Sequence, residues 1–291
     1  MRIAFVGLGA MGLPMAQRLA SAGHEVIGCD LSDAAREALE AAGGAFSADT
    51  REAAANAEAL VLMVVSGSQA ETVLFESGAA EALANNALVV ASCTQGRDDA
   101  LRMGERLQGM GLRFLDAPVS GGAKGAASGT LTIMASGPRD VFDAARPVLE
   151  PMGDKLHHMG EEWGLGSLAK TINQHLAGVH IAAAAEAMAL GQRAGLDART
   201  MLDVYTGSAA ASWMLADRGP RMLEAEPGVT SAVDIFVKDL GLVLEAAETV
   251  GGDTPLARAA FERFRQASEN GLGRQDDSQV IRAFRTKDSE A

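Results

Sequence analysis

A glycine-rich turn close to the start of the chain constrains its fold more than any other sequence feature. Residues 7–12 read GLGAMG, which matches the spacing G-x-G-x-x-G, and they follow directly on the apolar run Ile3–Val6. In residues 12–22, apolar side chains recur at helical spacing. A strand that passes through such a turn into a helix is typical of the first βαβ unit of a doubly wound parallel sheet.

Alternating β-rich and amphipathic segments continue to about residue 159, as expected for a parallel sheet covered by helices. The predicted strands are 3–6, 25–29, 59–65, 88–92, 113–116 and 131–135. Beyond Gly160 the strand-like runs stop, and the predicted helices are 166–194, 198–206, 231–250, 255–269 and 277–284. We therefore predict an α/β chain with a Rossmann-type doubly wound parallel sheet in a domain at 1–162 and a second, all-α domain at 163–291. Residues 287–291 are expected to be disordered.

An acidic residue at the end of the second predicted strand bears on what the glycine turn binds. Asp30 lies 18 positions after Gly12, near the separation expected for a carboxylate that accepts both hydroxyls of a ribose. A 2′-phosphate would be repelled by Asp30, and Leu31 and Ser32 offer no arginine to receive it, so the sequence predicts NAD. Taken alone, such a glycine run can equally be a packing turn, but strand, helix and acid in register favour a cofactor site. The candidate cofactor-binding residues here are Gly7, Leu8, Gly9, Ala10, Met11, Gly12, Asp30, Leu31, Val64 and Val65.

A serine followed by two glycines forms a second candidate site. In Ser120-Gly121-Gly122, unhindered backbone N–H groups and one hydroxyl can converge on an anion, which suits a carboxylate. The alternative is a purely structural turn, because glycine mostly answers a backbone requirement.

A lysine near the start of the longest predicted helix forms a third. Lys170, Asn173 and Gln174 share one helix face about a turn apart, so they can meet one ligand. The alternative is a lysine that extends along apolar surface to water.

The acidic balance of the chain limits its partners. A formal net charge of −13 and an isoelectric point near 4.8 disfavour nucleic acid and anionic membranes. Cys29 and Cys93 lie in separate apolar runs and make neither a disulfide framework nor a metal site. His157 and His158 lack companions for a metal site and are expected in a loop. The first residues enter a strand without forming a signal peptide, and we expect a cytoplasmic, metal-free protein that acts on a small molecule.

Four motifs, in order along nearly the entire chain, resemble those of the β-hydroxyacid dehydrogenases, the family of 3-hydroxyisobutyrate dehydrogenase and tartronate semialdehyde reductase. They are GLGAMGLPMA at 7–16, DAPVSGG at 116–122 with GA at 125–126 and GTL at 129–131, GLGSLAKTIN at 164–173, and VKDL at 237–240. The resemblance implies an enzyme that transfers hydride between a short hydroxy acid and NAD.

The resemblance also implies roles for individual residues. Lys170 becomes the catalytic lysine that takes or returns the hydroxyl proton, and Asn173 positions the substrate or the lysine amine. Lys238 has its family counterpart near cofactor and substrate; a solvated helix lysine paired with Asp239 is the alternative. The family often has Asn-Asn where this chain has Asn173-Gln174. The implied substrate-binding residues are Ser120, Gly121, Gly122, Gln174 and Lys238, and the implied further cofactor contacts are Thr94 and Lys238.

In the C-terminal half, the stretches NQHLAGVHI at 173–181, SWM at 212–214 and SAVDIFVKDL at 231–240 resemble those of L-threonate dehydrogenases within this family. This resemblance implies oxidation of L-threonate to 2-oxo-tetronate. Gln174, His175 and Asp234 are polar groups that a methyl-bearing substrate would leave unpaired if they are buried. The alternatives are a 3-hydroxyisobutyrate dehydrogenase, a tartronate semialdehyde reductase and, from another class, an inactive NAD-binding scaffold. Apolar helices in the second domain predict a homodimer or homotetramer.

Overall fold

The computed structural model describes residues 1–285, which fold into two compact units, Met1–Lys170 and the chain from Thr171 onward. The domain bounds 1–162 and 163–291 stay a prediction, since the division between the compact units falls inside the long helix. Residues 287–291, for which the sequence predicts disorder, lie outside the described residues.

The first unit is built on one sheet. Its strands are β1 (Arg2–Val6), β2 (Glu25–Cys29), β3 (Ala45–Phe46), β4 (Ala59–Leu62), β5 (Leu88–Ala91), β6 (Arg113–Asp116), β7 (Val119–Ser120), β8 (Thr132–Ser136) and β9 (Lys155–Gly160). Strands β1 to β6 are parallel and lie in the order 3-2-1-4-5-6. That order is the doubly wound arrangement, so the predicted fold class is confirmed.

The far end of the sheet differs from the prediction. Strand β8, predicted to join a parallel sheet, runs antiparallel to β6 and β7 and parallel to β9. Strands β3 and β7 are two residues long, too short to produce an alternating pattern. The expectation that His157 and His158 lie in a loop is wrong, because both belong to β9. That strand carries polar residues and no β-branched ones, so its sequence gives little strand signal.

Helices cover both faces of this sheet. Ile3 and Phe5 belong to one buried cluster, while Ala4 and Val6 belong to the cluster on the opposite face. Successive side chains of a strand point to opposite faces, and here both are covered, so the strand is apolar throughout. The helices of the first unit are α1 (Gly12–Ser21), α2 (Asp33–Ala41), α3 (Thr50–Ala54), α4 (Gly67–Glu71), α5 (Ala79–Ala82), α6 (Arg97–Gly109), α7 (Gly122–Ser128) and α8 (Arg139–Leu149), with a π-helical turn at Thr72–Glu76.

The second unit is helical, as predicted. Its elements are α9 (Leu165–Arg193, which begins in the first unit), α10 (Ala198–Thr206), α11 (Trp213–Met222), α12 (Val233–Thr249), α13 (Pro255–Ala267), a π-helical turn (Ser268–Leu272) and a 3₁₀ helix (Asp277–Phe284). The sequence did not predict α11, because Gly219 and Pro220 interrupt its apolar pattern. Helix α13 ends two residues earlier than predicted and continues into the π-helical turn, where Gly271 has φ 84°.

A buried ion pair joins the 3₁₀ helix to α11. The guanidinium of Arg218 donates to both oxygens of Asp277, over 3.0 and 2.8 Å, and Asp277 is fully buried. Burial raises the pKa of Asp277 and the charge of Arg218 opposes that rise. This pair fixes the end of the described chain against the helical core.

Substituting Gly12 should destabilise the first unit. A Cβ added there would lie 1.8 Å from the Gly7 carbonyl oxygen, so Gly12→Ala forces the glycine turn away from α1. We expect the free energy of unfolding to fall by at least about 2 kcal/mol, measured by thermal and denaturant unfolding. Gly9→Ala is the matched control, since a Cβ at Gly9 has no described atom within 4 Å. Equal stability of the two variants would contradict this account of the turn.

Candidate cofactor and substrate sites

The glycine turn, predicted to hold a dinucleotide phosphate, lies at the carboxyl end of β1 and leaves open space beside Gly9. The backbone at Gly7 has φ 95°, which favours glycine. At Gly9 a Cβ would project into space that no described atom occupies within 4 Å. Within residues 1–285, no side chain caps the α1 N-terminus at Met11, and its first turn carries no acidic residue. An uncapped helix N-terminus beside an open glycine backbone suits an anion, so these residues fit a pyrophosphate.

Asp30 is held beside this turn. One carboxylate oxygen accepts the N–H of Leu8 over 2.6 Å, and the other accepts the N–H of Ser32 over 3.0 Å. A carboxylate has about four lone-pair sites, so acceptor capacity is left for ribose hydroxyls. Leu31 beside it is fully exposed.

The remaining candidate cofactor residues follow neighbouring strands. Val64 and Val65 come after β4, and Thr94 comes three positions after the end of β5. The predicted strands extended to Val65 and Ser92, but the strands end at Leu62 and Ala91, so these residues belong to loops. Strands β1 and β4 are adjacent, and the strand order reverses between them, which is where doubly wound sheets bind their ligands. The candidate cofactor residues of the first unit therefore lie along one edge of the sheet.

The serine-glycine turn sits between a strand and a helix. Ser120 pairs with Thr132 across the antiparallel β7–β8 ladder. Gly121 has φ 136° and Gly122 has φ 64°, conformations that L side chains rarely adopt. The two glycines thus have a structural role, and their backbone remains unhindered for a ligand.

Lys170 lies in the second turn of α9 and is buried, with 7% of its surface exposed. The alternative that this lysine extends to bulk water is therefore wrong. The start of its helix is fixed by Asp116 at the end of β6. The Asp116 carboxylate accepts the N–H of Ser167 over 2.8 Å, the Ser167 hydroxyl over 2.6 Å and the N–H of Gly164 over 3.2 Å. This connection could not be predicted from the sequence, because its partners lie about fifty positions apart.

In the second unit, a buried carboxylate connects three of the candidate residues. The Gln174 amide nitrogen donates to Asp239 over 2.5 Å, and the Asn173 amide donates to the Gln174 oxygen over 3.0 Å. The amine of Lys238 lies 2.7 Å from the other oxygen of Asp239. Asp239 is 1% exposed, so its interpretation as the surface partner of Lys238 is wrong. Sequence reasoning missed Asp239 as a residue of the site.

The three polar residues from which the sequence predicts a polyhydroxylated substrate differ in burial. Gln174 is buried, His175 is half-buried and Asp234 is exposed. Asp234 accepts the Ser268 hydroxyl over 2.6 Å near the start of α12. Asp234 therefore gives no support to a polar substrate pocket, whereas the buried Gln174 does.

Two further findings concern residues 1–285. No group of three or more histidine, cysteine, aspartate or glutamate side chains there is arranged to hold a metal ion. None of the helices in that part of the chain is long and apolar enough to cross a membrane.

The sheet order, the open glycine turn and the placement of Asp30 are typical of a dinucleotide-binding protein. Residues 2–160 match the family model for the NAD-binding domain of 6-phosphogluconate dehydrogenase, and residues 164–284 match the NAD-binding domain model of NADP-dependent 3-hydroxyisobutyrate dehydrogenase. The chain belongs to the β-hydroxyacid dehydrogenase family, the NAD-dependent enzymes related to 3-hydroxyisobutyrate dehydrogenase. The resemblance expected from the four motifs is confirmed.

Individual relatives cover almost all of the chain. An L-threonate dehydrogenase from Cupriavidus necator is 47% identical over 97% of this chain and 95% of its own length. An L-threonate dehydrogenase from Haemophilus influenzae is 44% identical over 97% of this chain and 94% of its own. A crystal structure of 3-hydroxyisobutyrate dehydrogenase from Salmonella typhimurium has a TM-score of 0.94 and 43% identity, covering 97% of this chain and 99% of that one.

Removing the Asp30 carboxylate should weaken NADH binding and relax the discrimination against NADPH. Asp30→Ala removes the acceptors of the charge-assisted hydrogen bonds from the ribose hydroxyls. Losing these bonds should lower the affinity for NADH about tenfold or more. NADPH should gain relative to NADH, because the charge facing a 2′-phosphate is gone. Fluorescence titration with both nucleotides measures this. Asp33→Ala, at an exposed position in the first turn of α2, is the control; an unchanged NADH to NADPH ratio in Asp30→Ala would overturn the assignment.

Proposed function

We propose that this enzyme oxidises the C2 hydroxyl of L-threonate to give 2-oxo-tetronate, with NAD as acceptor and Lys170 as general acid and base. The observation that carries the substrate assignment is the 44–47% identity, over 97% of the chain, to relatives named L-threonate dehydrogenase. The buried Lys170 amine near the start of α9 carries the mechanism.

The proposed chemistry divides hydride and proton between two groups. Bound NAD supplies the hydride acceptor. Lys170, as the neutral amine, takes the proton of the substrate hydroxyl, and as the ammonium it returns that proton in the reverse reaction. Burial keeps water from competing for this transfer.

The proposed carboxylate site is the serine-glycine turn. The hydroxyl of Ser120 and the backbone N–H groups at Gly121 and Gly122 bind the acid end of the substrate. Their support is the positive φ of both glycines, which keeps the backbone free of side chains. In the first unit, Asp116 is connected to both groups. It accepts hydrogen bonds from the start of α9, the helix that carries Lys170, and it precedes the Ser120 turn by four positions in the chain.

The proposed roles in the second unit follow from its hydrogen bonds. Asn173 orients the substrate or the lysine amine, and Gln174 holds Asn173 while one amide hydrogen and one acceptor lone pair remain for a polyhydroxylated acid. Lys238, held by Asp239, is proposed to contact cofactor and substrate.

A second candidate substrate is 3-hydroxyisobutyrate. It is supported by the Salmonella typhimurium structure, which is described as a 3-hydroxyisobutyrate dehydrogenase and is 43% identical to this chain. The two candidates differ in polarity: L-threonate presents several hydroxyls, and 3-hydroxyisobutyrate presents a methyl group. A buried amide such as that of Gln174 favours the former.

A substrate panel tests the assignment. NADH formation is followed with L-threonate, D-threonate, L-erythronate, D-erythronate, 3-hydroxyisobutyrate and D-glycerate, and repeated with NADP. We expect L-threonate with NAD to give the highest kcat/KM. If 3-hydroxyisobutyrate or D-glycerate leads, the substrate assignment is wrong while the enzyme class stands.

Replacement of Lys170 tests the mechanism. Lys170→Ala should lower kcat about a hundredfold or more, as loss of a general base does, while NADH binding and the melting temperature stay close to wild type. Lys124→Ala is the matched control, an exposed lysine in α7 of the same unit. A Lys170→Ala enzyme that keeps its kcat would assign the proton transfer to another group.

We also propose that the protein is a cytoplasmic homodimer or homotetramer. Buried free Cys29 and Cys93 support a reducing compartment. Oligomerisation is supported by Ile172, Leu176 and Leu190, which are 57, 56 and 68% exposed and share one face of α9. An apolar stripe of that length is rarely left in water.

A charge on this stripe should break the assembly. We expect wild-type protein to have a mass of at least twice the 30.0 kDa chain, and Leu176→Asp to shift it toward the single chain, measured by light scattering after gel filtration. Met110→Asp, at an exposed methionine next to α6, should have no such effect. A wild-type mass of one chain would end the proposal.

A further inference from the structure

Polar side chains of the sheet fix the start of α9. Gly164 and Ser167 donate their N–H groups to Asp116, and Gly166 donates its N–H to the Ser136 hydroxyl over 2.8 Å. The Ser136 hydroxyl donates in turn to Asp116 over 3.1 Å. These three N–H groups are thus bonded inside the protein.

Backbone groups of β6 and β8 also lie close to the start of α9. A Cβ at Gly166 would lie 2.4 Å from the Met134 carbonyl oxygen and 2.8 Å from that of Asp116. Trp163, just before the helix, donates its indole N–H to the Phe114 carbonyl over 3.1 Å. The helix start therefore rests directly on β6 and β8.

Lys170 follows Ser167 by three positions, so both lie on one helix face about a turn apart, with a rise of about 4.5 Å between them. Asp116 also precedes the serine-glycine turn by four positions. The carboxylate thus joins the helix of the proposed proton-transfer lysine to the strand that leads into the proposed carboxylate site, within one unit.

We propose that Asp116 is a positioning residue that holds the Lys170 amine at a fixed place relative to the Ser120 turn. The inference rests on the proposed function only in what Lys170 does. The position of the amine is a property of the chain, and it can be measured without turnover.

Burial also bears on the charge state of this carboxyl. It raises the pKa of Asp116, whereas hydrogen bonds from Ser167 and Ser136 lower it. Asp116→Asn keeps the size of the side chain but sets an amide against N–H donors, so it should loosen the first turn of α9.

The test is competitive acetylation of the lysines in full-length protein, read out by mass spectrometry. Lys170 in the wild type should react slowly relative to exposed Lys124 and Lys155. In Asp116→Asn, the Lys170 rate relative to Lys124 should rise threefold or more, because the amine becomes accessible. Ser167→Ala, which keeps the backbone hydrogen bonds, should give a smaller rise in the same direction and serves if Asp116→Asn does not fold.

Asp277→Asn is the control, since it replaces a buried carboxylate of the second unit. It should lower the melting temperature without changing the reactivity of Lys170. Unchanged Lys170 reactivity in folded Asp116→Asn and Ser167→Ala would overturn the proposal.

Turnover gives a separate readout. With the best acid from the panel, Asp116→Asn should lower kcat at least tenfold, while its Kd for NADH stays within twofold of wild type. If the wild type turns over no hydroxy acid, the proposed function fails, but the acetylation result still decides whether Asp116 positions Lys170. If acetylation changes and kcat does not, Asp116 holds Lys170 in place, and the proposed proton-transfer role of Lys170 is wrong.

Discussion

Burying a carboxylate costs several kcal/mol unless hydrogen-bond donors replace the water that it loses. Asp116 meets this condition with donors from two places in the chain: Gly164 and Ser167 at the start of α9, and Ser136 on β8. An N-terminal cap is usually local, within three positions of the N–H groups that it accepts. Here the cap comes from 51 positions away, so the first turn of a 29-residue helix is defined by the sheet.

The part of this fold that sequence predicted is the part with local signals. The glycine turn, the strand before it and Asp30 lie within thirty residues, and each answers a backbone or charge requirement that residue type alone reveals. The far end of the sheet lacked such signals. The direction of β8 depends on its pairing with β6 and β7, which no periodicity reports, and β9 carries charged and histidine side chains at an edge.

The candidate site divides in the same way. Sequence predicted Lys170, Asn173 and the Ser120 turn because motif residues stand out in the chain. It did not predict Asp239 as the partner of Gln174, because the two residues lie 65 positions apart and become adjacent only when α9 packs near α12. An acid next to a lysine in sequence most often forms an exposed ion pair with it. Only the burial of the acid in the folded protein distinguishes such a surface pair from a buried carboxylate that binds other side chains.

The Asn173-Gln174 pair shows how a departure from a family motif acquires physical meaning. Asparagine at the second position would be shorter by one methylene, about 1.5 Å. From the same backbone it would not reach the Asp239 carboxylate, which Gln174 contacts over 2.5 Å. The longer side chain thus connects Asn173 to a buried acid that also holds Lys238. Since a site built to hydrogen-bond a substrate hydroxyl rejects analogues that lack it, amides fixed in this way support the proposed polyhydroxylated acid over a methyl-bearing one.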